Sequence, residues 1–194
     1  MSHRILWSLA IALTICSAAQ GSEIRRVVTT LDANNRSTTL IDRVETLTVA
    51  KSGNAGLLLW TTDSSPPGFS FTADAGQKDL AINPPDNGSA FRVVEFPPLD
   101  AATEAKLPKN LVMNIVGDHA PARGVPVSHP LMHRTRTVDY AIIMSGEIDL
   151  MLDDKTLHLK AGDVVIQQAT NHAWINHGKE PVRVMFVLMD SKQP

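Results

Sequence analysis

The chain has 194 residues, of which 43% are apolar and 20% charged, with a net charge of -2. That length suits one domain with a full hydrophobic core, and 18 basic against 20 acidic residues leave no basic footprint for nucleic acid or an anionic membrane. The one cysteine, Cys16, excludes an internal disulfide and any cysteine-based metal site or nucleophile in the mature domain.

Residues 1–21 read as a signal peptide. Ser2, His3 and Arg4 are polar or basic, the apolar run 5–15 falls short of the ~20 residues a bilayer span needs, and Ala18, Ala19, Gln20 and Gly21 supply small residues at a cleavage point. The expectation is a secreted or secretory-pathway protein without stable membrane association after cleavage. A start codon set upstream of a cytoplasmic protein is the alternative. Two sequons, at Asn35 and Asn87, agree with secretion.

Residues 22–110 carry N-terminal strands and a Pro/Gly-rich flap of the same domain as residues 111–194, the barrel core. Residues 26–31 are β-branched and stop at the turn cluster 32–35. Strands are predicted at 38–42, 44–50 and 55–61, the last carrying Trp60. Residues 64–89 hold Pro66, Pro67, Pro84 and Pro85. A loop this long in a compact domain is usually functional, so a flap near the barrel mouth is expected, anchored by Phe69 and Phe71. A strand at 90–96, a short helix within 100–109, a strand at 111–116 and a loop at 118–126 follow. Further strands are expected at 132–135, 138–144, 147–152, 156–160, 163–168, 172–174 and 182–189. Helical periodicity is nearly absent, and many short strands separated by turn signals mean a sandwich or barrel.

The chemistry-bearing side chains concentrate between His133 and Asn176. Trp174 lies two residues after His172 and so shares its face of a strand; with Trp60 it either stacks on a planar substrate or packs in the core. Thr135 is placed to hold a substrate hydroxyl. Arg92 either binds a substrate carboxylate or sits in a surface salt bridge, and Arg134 and Arg136 are expected to face solvent or a partner. Tyr140 falls on the face opposite Asp139. Met132, Met144 and Met151 read as gap-filling core residues, and Asn176 as a turn-fixing side chain. His119, His158 and His177 read as solvated or structural.

Two spaced patterns in this stretch resemble the paired motifs of the cupins. His133-x-Thr135-x3-Asp139-x6-Gly146 is similar to the first motif, and Gly162-x5-Gln168-x3-His172-x3-Asn176 to the second. The surrounding sequence, over residues 25–190, is most like the small single-domain cupins of fungal secondary-metabolite clusters. The resemblance implies an all-β fold, the cupin double-stranded β-helix or jelly-roll barrel, here with a β-rich N-terminal arm. It also implies ligand positions, and this chain departs from them: Thr135 replaces a His, Asp139 replaces a longer Glu, and Gln168 and Thr170 replace a Pro and a Gly. His133, Asp139 and His172 remain, a 2-His-1-carboxylate set that suits a divalent metal (Fe, Mn or Zn). His129 is no substitute for the missing ligand, since four residues of strand span ~13 Å.

Three readings follow for the same residues. In one, the chain is an oxidoreductase acting on an aromatic or polyketide-type secondary metabolite with a metal at His133, Asp139 and His172. In another it is a metal-free dehydratase or isomerase, with His133 or His172 as base and Asp139 orienting it or serving as acid. In the third it binds a small molecule without changing it. The expected partners are a small-molecule substrate and, by resemblance, a second copy in a homodimer, with no nucleic acid.

Overall fold

The computed structural model describes residues 22–50, 53–76, 82–109, 111–112 and 127–192. The expected signal peptide with Cys16, the strand expected at 111–116 beyond its first two residues, and the loop at 118–126 with His119 lie outside the described residues. Those first two, Leu111 and Val112, form a turn.

The strands are β1 (Glu23–Leu31), β2 (Ser37–Thr46), β3 (Thr48–Val49), β4 (Ala55–Thr62), β5 (Ser89–Phe96), β6 (Thr137–Ser145), β7 (Glu147–Met151), β8 (Thr156–Lys160), β9 (Val164–Gln168), β10 (Ala173–Ile175) and β11 (Val182–Asp190). They form a six-stranded sheet in the order β3-β4-β5-β11-β6-β9, a three-stranded sheet in the order β10-β7-β8, and the separate hairpin β1-β2. The expected all-β cupin barrel is therefore present, with its arm. The one helix among the described residues, α1 (Ala101–Glu104), is a single turn capped by Asp100, whose side chain accepts from the backbone N–H groups of Ala102 and Thr103.

Alternation along the strands sets the layers. On β6 Asp139, Ala141 and Ile143 are buried, whereas Tyr140, Ile142 and Met144 are exposed. On β11 Val182, Val184, Phe186 and Leu188 are buried. These side chains meet Phe96 from β5, Ile148 and Leu150 from β7 and Trp174 from β10 in one core. Phe186 sits edge-on to Trp174, with ring centroids 5.5 Å apart, an arrangement that adds to plain burial. Met144 is thus a surface residue and not the core filler its composition suggested, while Met132 is fully buried.

The arm lies on the outer face of the large sheet. Arg26 of β1 holds it there: its guanidinium is only 6% exposed, makes ion pairs with Glu45 and Asp74 and donates to the Leu59 carbonyl at 2.9 Å. Asp74 belongs to the segment expected to be a flap, so residues 63–76 are fastened to the arm. The Thr30 hydroxyl adds a bond to the Phe71 carbonyl at 2.7 Å. Phe69 and Phe71 do not anchor this segment. They stack on each other, centroids 5.6 Å apart, and both are exposed, Phe69 by 89%. The hold comes from charge and backbone hydrogen bonds, which a reading based on aromatic residues overlooks.

Candidate functional site

His133 and His172 face each other across an isolated antiparallel bridge. Their backbones exchange two N–H···O bonds of 2.9 Å, and their rings lie 4.2 Å apart between centroids. Each ring nitrogen Nδ1 is tied to a nearby carbonyl at 2.9 Å, that of Leu131 for His133 and that of Thr170 for His172. A carbonyl only accepts, so both Nδ1 atoms carry the proton and both Nε2 atoms present lone pairs.

Asp139 joins this pair through a residue the sequence reading passed over. Gln167, not Gln168, faces inward, because the β6–β9 register places it opposite Asp139. Its amide nitrogen donates to Asp139 Oδ2 at 2.8 Å and lies 3.1 Å from His172 Nε2, which must accept. His172, Asp139 and Gln167 are all nearly inaccessible; His133 is only partly buried. Among the described residues His133 Nε2 has no hydrogen-bond partner, whereas His172 Nε2 is capped by Gln167.

Burial sets the protonation of the group. It pushes the Asp139 carboxyl up to about 6, and hydrogen bonding from Thr137 and Gln167 and the Arg92 charge offset only part of that rise. Burial pushes both imidazoles the other way, His133 downward and His172 well below the ordinary histidine range, with the neighbouring His133 adding to the effect. Both rings are therefore neutral at neutral pH, beside a carboxyl that changes state close to it. Among the described residues, the acceptor atoms Asp139 Oδ1 and Gln167 Oε1 are buried without a hydrogen-bond partner.

The three residues at the expected ligand positions are thus brought together, but they do not form a ligand set as they stand. The Gln167 amide, a hydrogen-bond donor, fills the place between Asp139 and His172. Among the described residues no three His, Cys, Asp or Glu side chains are grouped so as to hold a metal ion. The tautomers alone fit a metal, since a ligating imidazole usually has its second nitrogen tied to an acceptor.

The other expected site residues divide. Arg92 is partly buried and its charge acts on Asp139, so it contributes to the site's electrostatics. Thr135 is 2% exposed, and its hydroxyl is engaged with that of Thr137 at 2.5 Å, which leaves it poorly placed to meet a substrate. Trp174 is in the core. Trp60 lies on the opposite face of the large sheet, lining a hollow with Leu59, Phe91 and Met185, because an irregularity between Leu58 and Trp60 shifts its register. The two tryptophans form no common stacking platform. Arg134 is buried and donates to Asn171 at 2.7 Å, contrary to the expected solvent position. Arg136 pairs with Asp86 and Asp190. Asn176 fixes its turn as expected, donating to the carbonyls of Phe96 and Glu180 at 2.9 Å.

The remaining described histidines lie outside the site. His129 binds Glu104 at 2.8 Å, His177 bridges Glu104 and Asp149, and His158 pairs with Asp149 and Glu147.

Comparison with known proteins agrees with this fold. Residues 122–188 match the Cupin_2 cupin-domain family. The chain is 32% identical over 139 residues to Oryzines biosynthesis cluster protein J of Aspergillus oryzae, covering 70% of this chain and 64% of that protein. It is 44% identical over 69 residues to Phomopsin biosynthesis cluster protein C' of Diaporthe leptostromiformis, covering 34% of this chain and 36% of that one. It is 45% identical over 74 residues to the cupin-domain-containing oxidoreductase srdD of Neurospora crassa, covering 36% and 37%. The chain thus spans less than two thirds of the length of each of these relatives. The sheet order of the structure agrees with the matched residues, and residues 122–188 form a cupin domain.

Proposed function

We propose that this protein is an enzyme that tailors a small molecule by proton transfer, and that the molecule is an aromatic or polyketide-type secondary metabolite. The observation that carries the reading is the unengaged Nε2 lone pair of His133 in the same cluster as the Asp139 carboxyl, whose burial holds its ionisation at about 6. A neutral imidazole with a free lone pair beside a carboxyl that changes state at about 6 suits the elimination of water, or the shift of a double bond, next to a carbonyl. His133 takes the proton from the carbon beside the carbonyl. Asp139 gives a proton to the departing hydroxyl, which leaves as water, and the proton gained by His133 then returns to Asp139. His172 is a positioning residue, since Gln167 occupies its Nε2. The names of the biosynthesis-cluster relatives support a tailoring role on a biosynthetic product.

A second reading rests on the tautomers of the two imidazoles and on the oxidoreductase name of one relative. In it a divalent metal is held by His133, Asp139 and His172 once the Gln167 amide turns aside, and the chain is an oxidoreductase of the same class of metabolite. The test is to incubate the purified protein with the metabolite that accumulates in cells lacking this chain. We expect conversion that survives treatment with EDTA and falls ~100-fold or more in His133→Ala. Stoichiometric Fe, Mn or Zn, with activity lost to EDTA, would establish the second reading instead. A metabolite that binds and is recovered unchanged would leave a binding protein and end both.

A further inference from the structure

His129 precedes His133 on the chain and lies outside the site, yet a continuous line of hydrogen bonds joins the two rings. Residues 129–132 form a turn closed by the Met132 N–H on the His129 carbonyl at 2.9 Å, with Pro130 presetting the backbone at its second position. Inside the turn, the Leu131 N–H donates to His129 Nδ1 at 3.1 Å. His129 thus holds two successive peptide units, 130–131 by its side chain and 131–132 by its carbonyl. A peptide unit is planar, so the fixed Met132 N–H aims the Leu131 carbonyl on the opposite side of the same plane. That carbonyl takes the Nδ1–H of His133 at 2.9 Å.

The tautomers along this line are forced. His129 Nδ1 accepts, so its proton is on Nε2, which donates to Glu104 Oε1 at 2.8 Å. His133 is the reverse case, with Nδ1 donating and the lone pair on Nε2. Glu104 closes α1. Its second oxygen lies 3.3 Å from His177 Nε2, and His177 meets Asp149 of β7 at 3.0 Å, so the line is anchored on the three-stranded sheet. The side chains of His129 and Glu104 are 11% and 23% exposed, which shields the pair from the water that weakens surface ion pairs. His172 is held otherwise. Its Nδ1 meets the Thr170 carbonyl, and Asn171 beside it is fastened by Arg134 and Asp153. Among the described residues no hydrogen bond joins Thr170 or Asn171 to His129 or Glu104.

We propose that His129 and Glu104 are positioning residues for His133. Through the turn 129–132 they fix the tautomer of its ring and keep the lone pair on Nε2, where the abstraction of a proton needs it. Their value to turnover rests on His133 being the base proposed above.

The nitrogen NMR spectrum of the imidazoles in the full chain tests this without a substrate. In the wild type we expect His133 to show a protonated Nδ1 and an unprotonated Nε2. In His129→Ala and in Glu104→Ala the two nitrogens should move toward a common averaged position, the mark of mixed tautomers, while those of His172 stay in place. His129→Asn and Glu104→Gln should keep the wild-type pattern, because an Asn oxygen accepts from an N–H two residues on and a Gln oxygen still accepts from His129 Nε2. α1 contributes no buried residue, so the Glu104 variants serve if His129→Ala folds poorly. With the metabolite that accumulates in cells lacking this chain, kcat should fall ~10-fold or more in His129→Ala with KM little changed, and recover in His129→Asn. A His133 pattern unchanged in both alanine variants overturns the proposal. So does a change shared equally by His133 and His172, which would be a general loosening of the bridge between them. The expected spectra with kcat unchanged, or with no conversion by the wild type, uphold the placement of His129 and Glu104 and remove His133 as the base.

Discussion

Asp139 is the residue in which stability and chemistry pull apart. Its folded value of about 6 lies above the ordinary 3.8 because the carboxyl is buried, so the folded protein holds that proton more tightly than the unfolded chain does. Ionising it inside the fold is unfavourable, and the penalty is absent below about pH 4, grows between pH 4 and 6, and is constant above. Two pKa units correspond to on the order of 3 kcal/mol. Asp139→Asn keeps an acceptor for Gln167 and cannot ionise. We predict that the variant gains on the wild type as pH rises through 4–6 and is more stable by about 2–3 kcal/mol at pH 8, in urea denaturation followed at several pH values. His133 and His172 act in the opposite sense. Their depressed values mean that stability is lost as pH falls below the ordinary histidine range, but this loss is common to both proteins and cancels in the difference. A flat difference across pH 4–6 would show that the carboxyl is not held as described. His133, Asp139 and His172 were legible in the sequence because motif spacing survives substitution. Gln167 was not, although a signal existed: counting alternate positions back along β9 from its pairing with Asp139 makes it the inward residue, and Gln168, which sits at the motif position, the outward one.

At the scale of elements, alternation carried most of the strands, since period-2 burial on β6 and β11 is written directly in residue type. What it could not carry was the face of a residue next to a register irregularity, and Trp60 sits beside one. Nor could it show what holds the arm. Arg26 looks like any charged residue at the start of a strand, yet it is buried and serves Glu45, Asp74 and the Leu59 carbonyl together. Removing the guanidinium leaves two half-buried carboxylates with Arg43 alone and takes a donor from the Leu59 carbonyl, a loss on the order of 1–2 kcal/mol. We predict that Arg26→Leu lowers the stability by about that amount and speeds amide exchange in residues 63–76, while the imidazole NMR signals of His133 and His172 stay in place. Gly76 belongs to the same device. A Cβ there would meet the Arg26 guanidinium and come within 2.6 Å of the Leu59 carbonyl oxygen, so Gly76→Ala should reproduce the faster exchange. Unchanged exchange in both variants would mean the segment is held by something else.

At the scale of the molecule, the order of the strands is not a property of any local stretch, and this is where sequence reading stops. The last strand, β11, is inserted between β5 and β6, and pairs with both along nearly its whole length. Among the described residues the first two strands pair only with each other. The two ends of the chain therefore have unequal weight. Ending the chain at residue 181 removes four buried core side chains, Val182, Val184, Phe186 and Leu188. At about 1.5–3 kcal/mol each their loss rivals the entire 5–15 kcal/mol that keeps a domain folded, and it also severs the large sheet. Removing residues 1–50 takes away the arm but no strand of the barrel except the two-residue β3, and it uncovers Trp60, Phe91 and Met185 on the outer face. We predict that the chain ending at 181 has no cooperative urea transition and no near-ultraviolet dichroism, whereas the chain starting at 51 keeps both, keeps the paired imidazole signals and binds a hydrophobic dye more strongly than the full chain. The comparison discriminates because composition treats the two deletions alike, both removing strands of β-branched and apolar residues. Only the position of β11 inside the sheet makes one lethal to the fold and the other a loss of cover. If the chain ending at 181 still unfolded cooperatively, β5 and β6 would have to pair without β11, and the sheet order on which the site at His133 and His172 depends would be wrong.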